Sequence, residues 1–138
     1  LAAAPSGRDM SQGAVLLVED EPLVQSMLSR ALVEAGYRAE VATDGEEALQ
    51  VLARLEGKLA AVLSDVVMPG MGGRELAEEL RNRSPDVPIL FMSGYTNEEI
   101  IHRGLLGPEE PFLQKPFPPA ALAAALAGLL QRGSIAPG

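Results

Sequence analysis

The sequence predicts an α/β domain in which a five-stranded parallel sheet is covered by helices on both faces. Three observations carry this expectation. Short strand-like runs alternate with amphipathic helical stretches five times along the chain, the order expected of βα units. The runs at Ala14–Val18 and Leu59–Leu63 are aliphatic throughout, as suits strands buried on both faces of a parallel sheet. No segment repeats another, so one doubly wound sheet accounts for the whole pattern.

The elements follow in order. After Ala14–Val18, the residues Val24, Met27, Leu28, Ala31, Leu32 and Ala35 recur at i, i+3, i+4, i+7 spacing and predict a helix with one apolar stripe, ended by Gly36. Arg38–Ala42 alternates polar and apolar residues, as an edge strand does. Asp44 is placed to cap a second helix, with Glu47 three residues on at capping-box spacing and Ala48, Val51, Leu52 and Leu55 on its buried face. Leu59–Leu63 reads as the third strand, and Gly73–Arg83 as a third helix with Leu76 and Leu80 inward. Pro88–Met92 reads as the fourth strand, Asn97–Leu105 as a fourth helix and Phe112–Gln114 as a short fifth strand. Pro119 suits the first turn of a final helix whose stripe is Leu122, Leu126, Leu129 and Leu130. The domain is expected to run over residues 14–132, between a flexible N-terminal linker at 1–13 and a C-terminal tail at 133–138.

Composition narrows the function classes. Nineteen acidic against eleven basic residues give a net charge of −8, and with no Lys/Arg cluster the chain is not expected to bind nucleic acid. The chain is 47% hydrophobic but only 4% aromatic, so it can bury a core and that core is aliphatic. The absence of Cys excludes a disulfide framework, a thiolate metal site and a Cys nucleophile. His102 is the only imidazole, and its neighbours Ile100, Ile101, Arg103 and Gly104 suggest a solvated helix position. Residues 1–13 lack the apolar stretch of a signal peptide. The longest apolar run, Ala120–Leu130, is far short of the roughly 20 residues needed to span a bilayer. A cytoplasmic chain with no membrane insertion is expected.

Strands buried in such a sheet end without charge unless charge has work there. Here the first strand runs into Glu19 and Asp20, the third into Asp65, the fourth into Ser93 and the fifth into Lys115. Ligands of open α/β sheets bind beyond the carboxyl ends of the strands, where strand order reverses. In the order 2-1-3-4-5, the flavodoxin-like arrangement, strands one and three are neighbours and Asp20 faces Asp65. In the order 3-2-1-4-5 two strand spacings would separate them, too far to share a small ion. Two carboxylates about 4 Å apart repel by roughly 4 kcal/mol at an effective dielectric of 20. A divalent cation and the Lys115 ammonium are the available compensators, and carboxylates with a carbonyl and waters make a ligand set for Mg²⁺ or Mn²⁺. A carboxylate held ionised beside such a cation and a lysine, with a Ser hydroxyl across the pocket, is equipped to attack phosphorus. The glycines at 70, 72 and 73 do not make a dinucleotide fingerprint, because Glu75 stands where its third glycine would fall.

Four segments, Val15–Pro22, Leu63–Gly73, Met92–Tyr95 and Lys115–Phe117, together make the chain resemble the receiver domain of two-component response regulators over nearly its whole length. The resemblance implies that Asp65 accepts a phosphoryl group from a phosphohistidine on a histidine kinase or histidine phosphotransfer domain. It further implies that Asp20, Asp65 and the Val67 carbonyl bind Mg²⁺ directly, and that Glu19 acts through water. Ser93 would turn toward the acyl phosphate and Lys115 would pair with it, the Lys115-Pro116 bond being cis. Phe112 falls where an aromatic rotamer follows the Ser switch, and without a hydroxyl it can signal only by packing. Gly94 after the switch Ser and Pro118-Pro119 at the start of the last helix depart from the commonest pattern. The segments around Asp65 and Ser93 look most like receivers of hybrid histidine kinases.

Other readings stay open at this point. One is a stand-alone single-domain response regulator, and another is a receiver relic that is no longer phosphorylated. A third is a phosphatase with an Asp nucleophile, although such enzymes usually carry Asp-x-Asp after the first strand, where this chain has Glu19-Asp20-Glu21.

Overall fold

Residues 13–56 and 58–135 are described by the computed structural model, residues 132–135 through their backbone. Five strands, β1 (Ala14–Val18), β2 (Arg38–Ala42), β3 (Ala61–Asp65), β4 (Ile89–Ser93) and β5 (Phe112–Gln114), alternate with five helices. These are α1 (Pro22–Glu34), α2 (Gly45–Arg54), α3 (Gly73–Arg83), α4 (Asn97–His102) and α5 (Pro119–Ile135). All strand pairs are parallel, in the order β2-β1-β3-β4-β5, which is the fold class and strand order expected from the sequence.

Alternation along the aliphatic strands builds two core layers. Val15 and Leu17 of β1, with Leu63, Leu90 and Met92, pack under Leu28 and Leu32 of α1 and Leu122 and Leu126 of α5. Leu16 and Val18, with Val62, Val66 and Phe91, pack under Val51 and Leu52 of α2, Leu76 and Leu80 of α3 and Ile100 of α4. The sheet is therefore covered on both faces, and apart from the edge strand β2, with Glu40 at its centre, its polar residues lie toward the carboxyl ends of the strands.

Several boundaries differ from the sequence pattern for physical reasons. β3 is shifted two residues onward from Leu59–Leu63, because ladder pairing does not depend on side-chain polarity and continues through Ser64 to Asp65, which pairs with Met92. β4 likewise runs through Ser93. α4 stops at His102, short of Leu105. Gly104 has φ of +71°, its N–H reaches the Ile101 carbonyl (2.9 Å), and Leu105 N–H reaches that of Ile100 (3.0 Å). This left-handed glycine closure also ends α1 at Gly36 (φ +100°). Asp44 caps α2 by accepting from Glu47 N–H at 2.8 Å. The return arm of the expected capping box goes one residue earlier, to the Thr43 N–H (2.7 Å) and hydroxyl (2.8 Å). α5 continues to Ile135, so the first three residues of the expected tail are helical. Residues 1–12 of the expected linker at 1–13, and residues 136–138 of the expected tail, lie outside the described residues. His102 is exposed, as expected. No helix among the described residues is long and apolar enough to cross a membrane.

The start of α3 lies directly on β3. A Cβ at Gly73 would sit 2.6 Å from the Asp65 carbonyl oxygen and 3.0 Å from Val66 Cα, and neither backbone atom can swing away. Gly73→Ala is therefore expected to destabilise the fold by about 2 kcal/mol, read as a lowered midpoint in urea unfolding.

Candidate functional site at the carboxyl edge of the sheet

Because β1 and β3 are adjacent, the residues that follow them meet. One carboxylate oxygen from each of Glu19, Asp20 and Asp65 lies within 4.8 Å of the others. Glu19 and Asp65 are buried and Asp20 is exposed. Lys115, carried in from the end of β5, places its Nζ 2.8 Å from Glu19 Oε1 and 2.8 Å from Asp65 Oδ1. The Lys115-Pro116 peptide is cis, as the resemblance implies.

Glu19 is engaged at both oxygens, with Oε1 on Lys115 and Oε2 accepting from Glu21 N–H at 3.0 Å. Its own carbonyl accepts from Gln25 Nε2 at 2.5 Å, which ties the first turns of α1 to the pocket. Among the described residues no buried side-chain nitrogen or oxygen is left without a hydrogen-bond partner.

The electrostatics follow from this crowding. Burial, and secondarily the hydrogen bond with Glu19, pushes the Asp65 carboxyl up to about 7 against the pull of Lys115. Burial also pushes Glu19 upward, but Lys115, Asp65 and the Glu21 N–H together hold it below the usual range. Burial works against the Lys115 ammonium, yet its bonds to Asp65 and Glu19 keep it above its ordinary value. Three carboxylates thus face one ammonium. The donors are all oxygens, so the residues fit a hard divalent cation.

The other predicted residues are placed around this cluster. Ser93 ends β4, one residue past the partner of Asp65 in the ladder. It is buried, and its hydroxyl accepts from Tyr95 N–H at 3.1 Å. Val67 follows Asp65 by two residues on the exposed loop before α3. Phe112 is not in the cluster. It is half-buried on β5 opposite Phe91, at the edge of the core layer under α3. Sequence reasoning missed two features. Ser64 donates a buried hydrogen bond to the Asp65 carbonyl at 2.8 Å. The Arg103 guanidinium lies 4.8 Å from the centroid of the Tyr95 ring, across α4. A hydroxyl interrupting an aliphatic strand signals the first, and no sequence signal points to the second.

The chain matches the response regulator receiver domain family over residues 15–127 and belongs to that family. It is 40% identical over 125 residues to the sensor kinase CckA of Brucella abortus (strain 2308), covering 90% of this chain and 13% of that protein. It is 36% identical over 120 residues to the response regulator MprA of Mycobacterium sp. (strain KMS), covering 87% of this chain and 51% of that protein. The receiver domain of the sensor histidine kinase PA1611 from Pseudomonas aeruginosa PAO1, solved with a magnesium ion coordinated in its active site cleft, is 28% identical with a TM-score of 0.75. That match covers 86% of this chain and 97% of the solved one. The chain thus spans about half of one curated relative and a much smaller share of the other.

Proposed function

We propose that this receiver domain accepts a phosphoryl group onto Asp65 from a phosphohistidine and changes its partner binding as a result. The observation that carries this reading is the buried Asp65 carboxylate, which Lys115 holds at 2.8 Å within 4.8 Å of two further carboxylates. In the transfer an Asp65 oxygen bonds to phosphorus as the phosphorus–nitrogen bond to imidazole breaks, and the released imidazole nitrogen takes up a proton. Lys115 Nζ, already on Asp65 Oδ1, is placed to hold a phosphoryl oxygen. The Ser93 hydroxyl accepts from Tyr95 N–H and keeps its own proton to donate to another, and Phe112 responds by repacking on β5.

Asp20, Asp65 and the Val67 carbonyl would hold Mg²⁺ or Mn²⁺, with Glu19 acting through water, and the cation's charge would neutralise the phosphoryl oxygens. The magnesium in the PA1611 receiver supports this assignment. The donor is a histidine kinase or a histidine phosphotransfer domain. Leu23 (74% exposed) and Met27 (63% exposed) give α1 an apolar face that starts beside the pocket, suited to a histidine-bearing helix. The likeness to CckA supports a place in a hybrid histidine kinase, and the likeness to MprA supports the second reading, a response regulator separate from its kinase. The receiver unit extends through α5 to Ile135.

With acetyl phosphate and Mg²⁺, the chain is expected to gain the mass of one phosphoryl group, and Asp65→Asn to gain none. An Asn variant that still labels would move the acceptor elsewhere. Sustained multiple-turnover release of phosphate from a generic ester would favour the phosphatase.

A further inference from the structure

Ser64 lies on β3 immediately before Asp65 and is fully buried. Alternation puts it on the face of Val62 and Val66, and its ladder neighbours are Val18 and Phe91. All four belong to the apolar layer under α2 and α3. A hydroxyl in such a layer is unfavourable unless it is hydrogen-bonded, and here it donates to the carbonyl oxygen of Asp65 at 2.8 Å. The same carbonyl has Gly73 against it, so closely that a Cβ there would lie at 2.6 Å. The N–H of that peptide unit belongs to Val66 and donates to the Met92 carbonyl at 3.0 Å, while the next carbonyl, of Val66, accepts from Gly73 N–H at 2.9 Å.

Both polar ends of the peptide that follows Asp65 are therefore tied, and α3 lies against it. That fixes the backbone rotation at Asp65, and with it the direction of the carboxylate toward Lys115 and the path of the chain to Val67. We infer that Ser64 is a positioning residue for the phosphoryl-transfer chemistry: its buried hydroxyl, with Gly73, clamps the Asp65–Val66 peptide so that the carboxylate meets its donor in a fixed orientation. The inference rests on Asp65 being the phosphoacceptor.

Ser64→Thr and Ser64→Val test it, because the two side chains load the core with the same bulk and differ in the hydroxyl. In the full chain with Mg²⁺ and acetyl phosphate, Ser64→Val is expected to be phosphorylated about five- to tenfold more slowly than the wild type, the rate equivalent of one neutral hydrogen bond. Ser64→Thr is expected to stay within about twofold of the wild type although its added methyl group lowers its melting temperature. Amide hydrogen exchange measured without Mg²⁺ should quicken at Val66 and Gly73 in the Val variant and not in the Thr variant. If the bulkier pair fails to fold, Ser64→Ala against wild type carries the same comparison. Equal rates in the Thr and Val variants, with a wild type that labels at Asp65, overturn the positioning role alone. A wild type that does not label, like Asp65→Asn, overturns the phosphoacceptor reading and the inference with it.

Discussion

Lys115→Met is expected to lower the stability of the metal-free domain by about 3 kcal/mol near pH 8, or its melting temperature by about 10 °C. Methionine keeps the apolar stem of the lysine and removes only the ammonium. Glu19 is 1% exposed and Lys115 24%, so the variant strands a buried carboxylate without its cation. Breaking a buried pair in this way typically costs about 3–5 kcal/mol, and the partial exposure of Lys115 selects the lower end. The pH dependence separates this cause from lost packing. In the wild type Glu19 is held below its usual range in the folded state, where Lys115, Asp65 and the Glu21 N–H together outweigh the penalty of burial. Its contribution is therefore present above the unfolded value, about 4.3, and is lost as pH falls through the lower folded value. In the variant Glu19 takes up a proton instead, so the deficit is expected to shrink steadily as the solution is brought from about pH 8 toward pH 4. Melting curves at several pH values check this, and a deficit that stays constant across the range would assign the cost to packing.

The fold was legible because its determinants are local and periodic. The aliphatic runs of β1 and β3, the i, i+3, i+4 stripes of α1, α3 and α5, and the proline at the start of α5 each specify an element without knowledge of its neighbours. Strand order was legible for a different reason. Only an arrangement with β1 beside β3 allows Asp20 and Asp65 to share a compensating charge, so the polar residues encoded the topology that the apolar ones left open. Boundaries were less legible, because hydrogen-bonded pairing runs past the last apolar side chain into Ser64, Asp65 and Ser93. The end of α4 was readable in principle, since Gly104 interrupts the pattern before Leu105, yet the apolar Leu105 and Leu106 beyond it continue the appearance of a stripe.

The site divides in the same manner. Glu19, Asp20, Asp65 and Lys115 could be found because charge at the end of a buried strand is anomalous whatever surrounds it. What the sequence left out is how the charges are shared. Glu19 spends both oxygens on Lys115 and a backbone N–H, and Ser64 fixes the peptide after Asp65. Both arrangements depend on distances set by the close approach of α3 to β3 and of the loop after β5 to β1, contacts between segments far apart in the chain.

In the metal-free domain Asp65 makes stability fall as pH rises from about 4 to about 7. Its carboxyl moves from an ordinary 3.8 to about 7 on folding, mainly through burial. Between those values the unfolded chain has released the proton and the folded chain retains it, so the native state binds more protons and the free energy of unfolding declines with pH. The full gap corresponds to about 4 kcal/mol, but Asp65 and Glu19 titrate as a pair beside Lys115, and about 2 kcal/mol is the expected effect. Asp65→Asn has no proton to lose at this position, and above about pH 7.5 it is expected to be more stable than the wild type by that amount. Mg²⁺ should reverse the comparison. The cation competes with the proton for the same oxygens, so it stabilises the wild type increasingly as pH rises, by about 2.7 kcal/mol at a hundred times its Kd, and leaves Asp65→Asn nearly unmoved. Melting curves of both chains across this pH range, with and without Mg²⁺, measure the two effects together. If Asp65→Asn proves less stable than the wild type near pH 8 without the cation, Lys115 alone compensates the ionised carboxylate, and the pocket has no excess negative charge with which to recruit a metal.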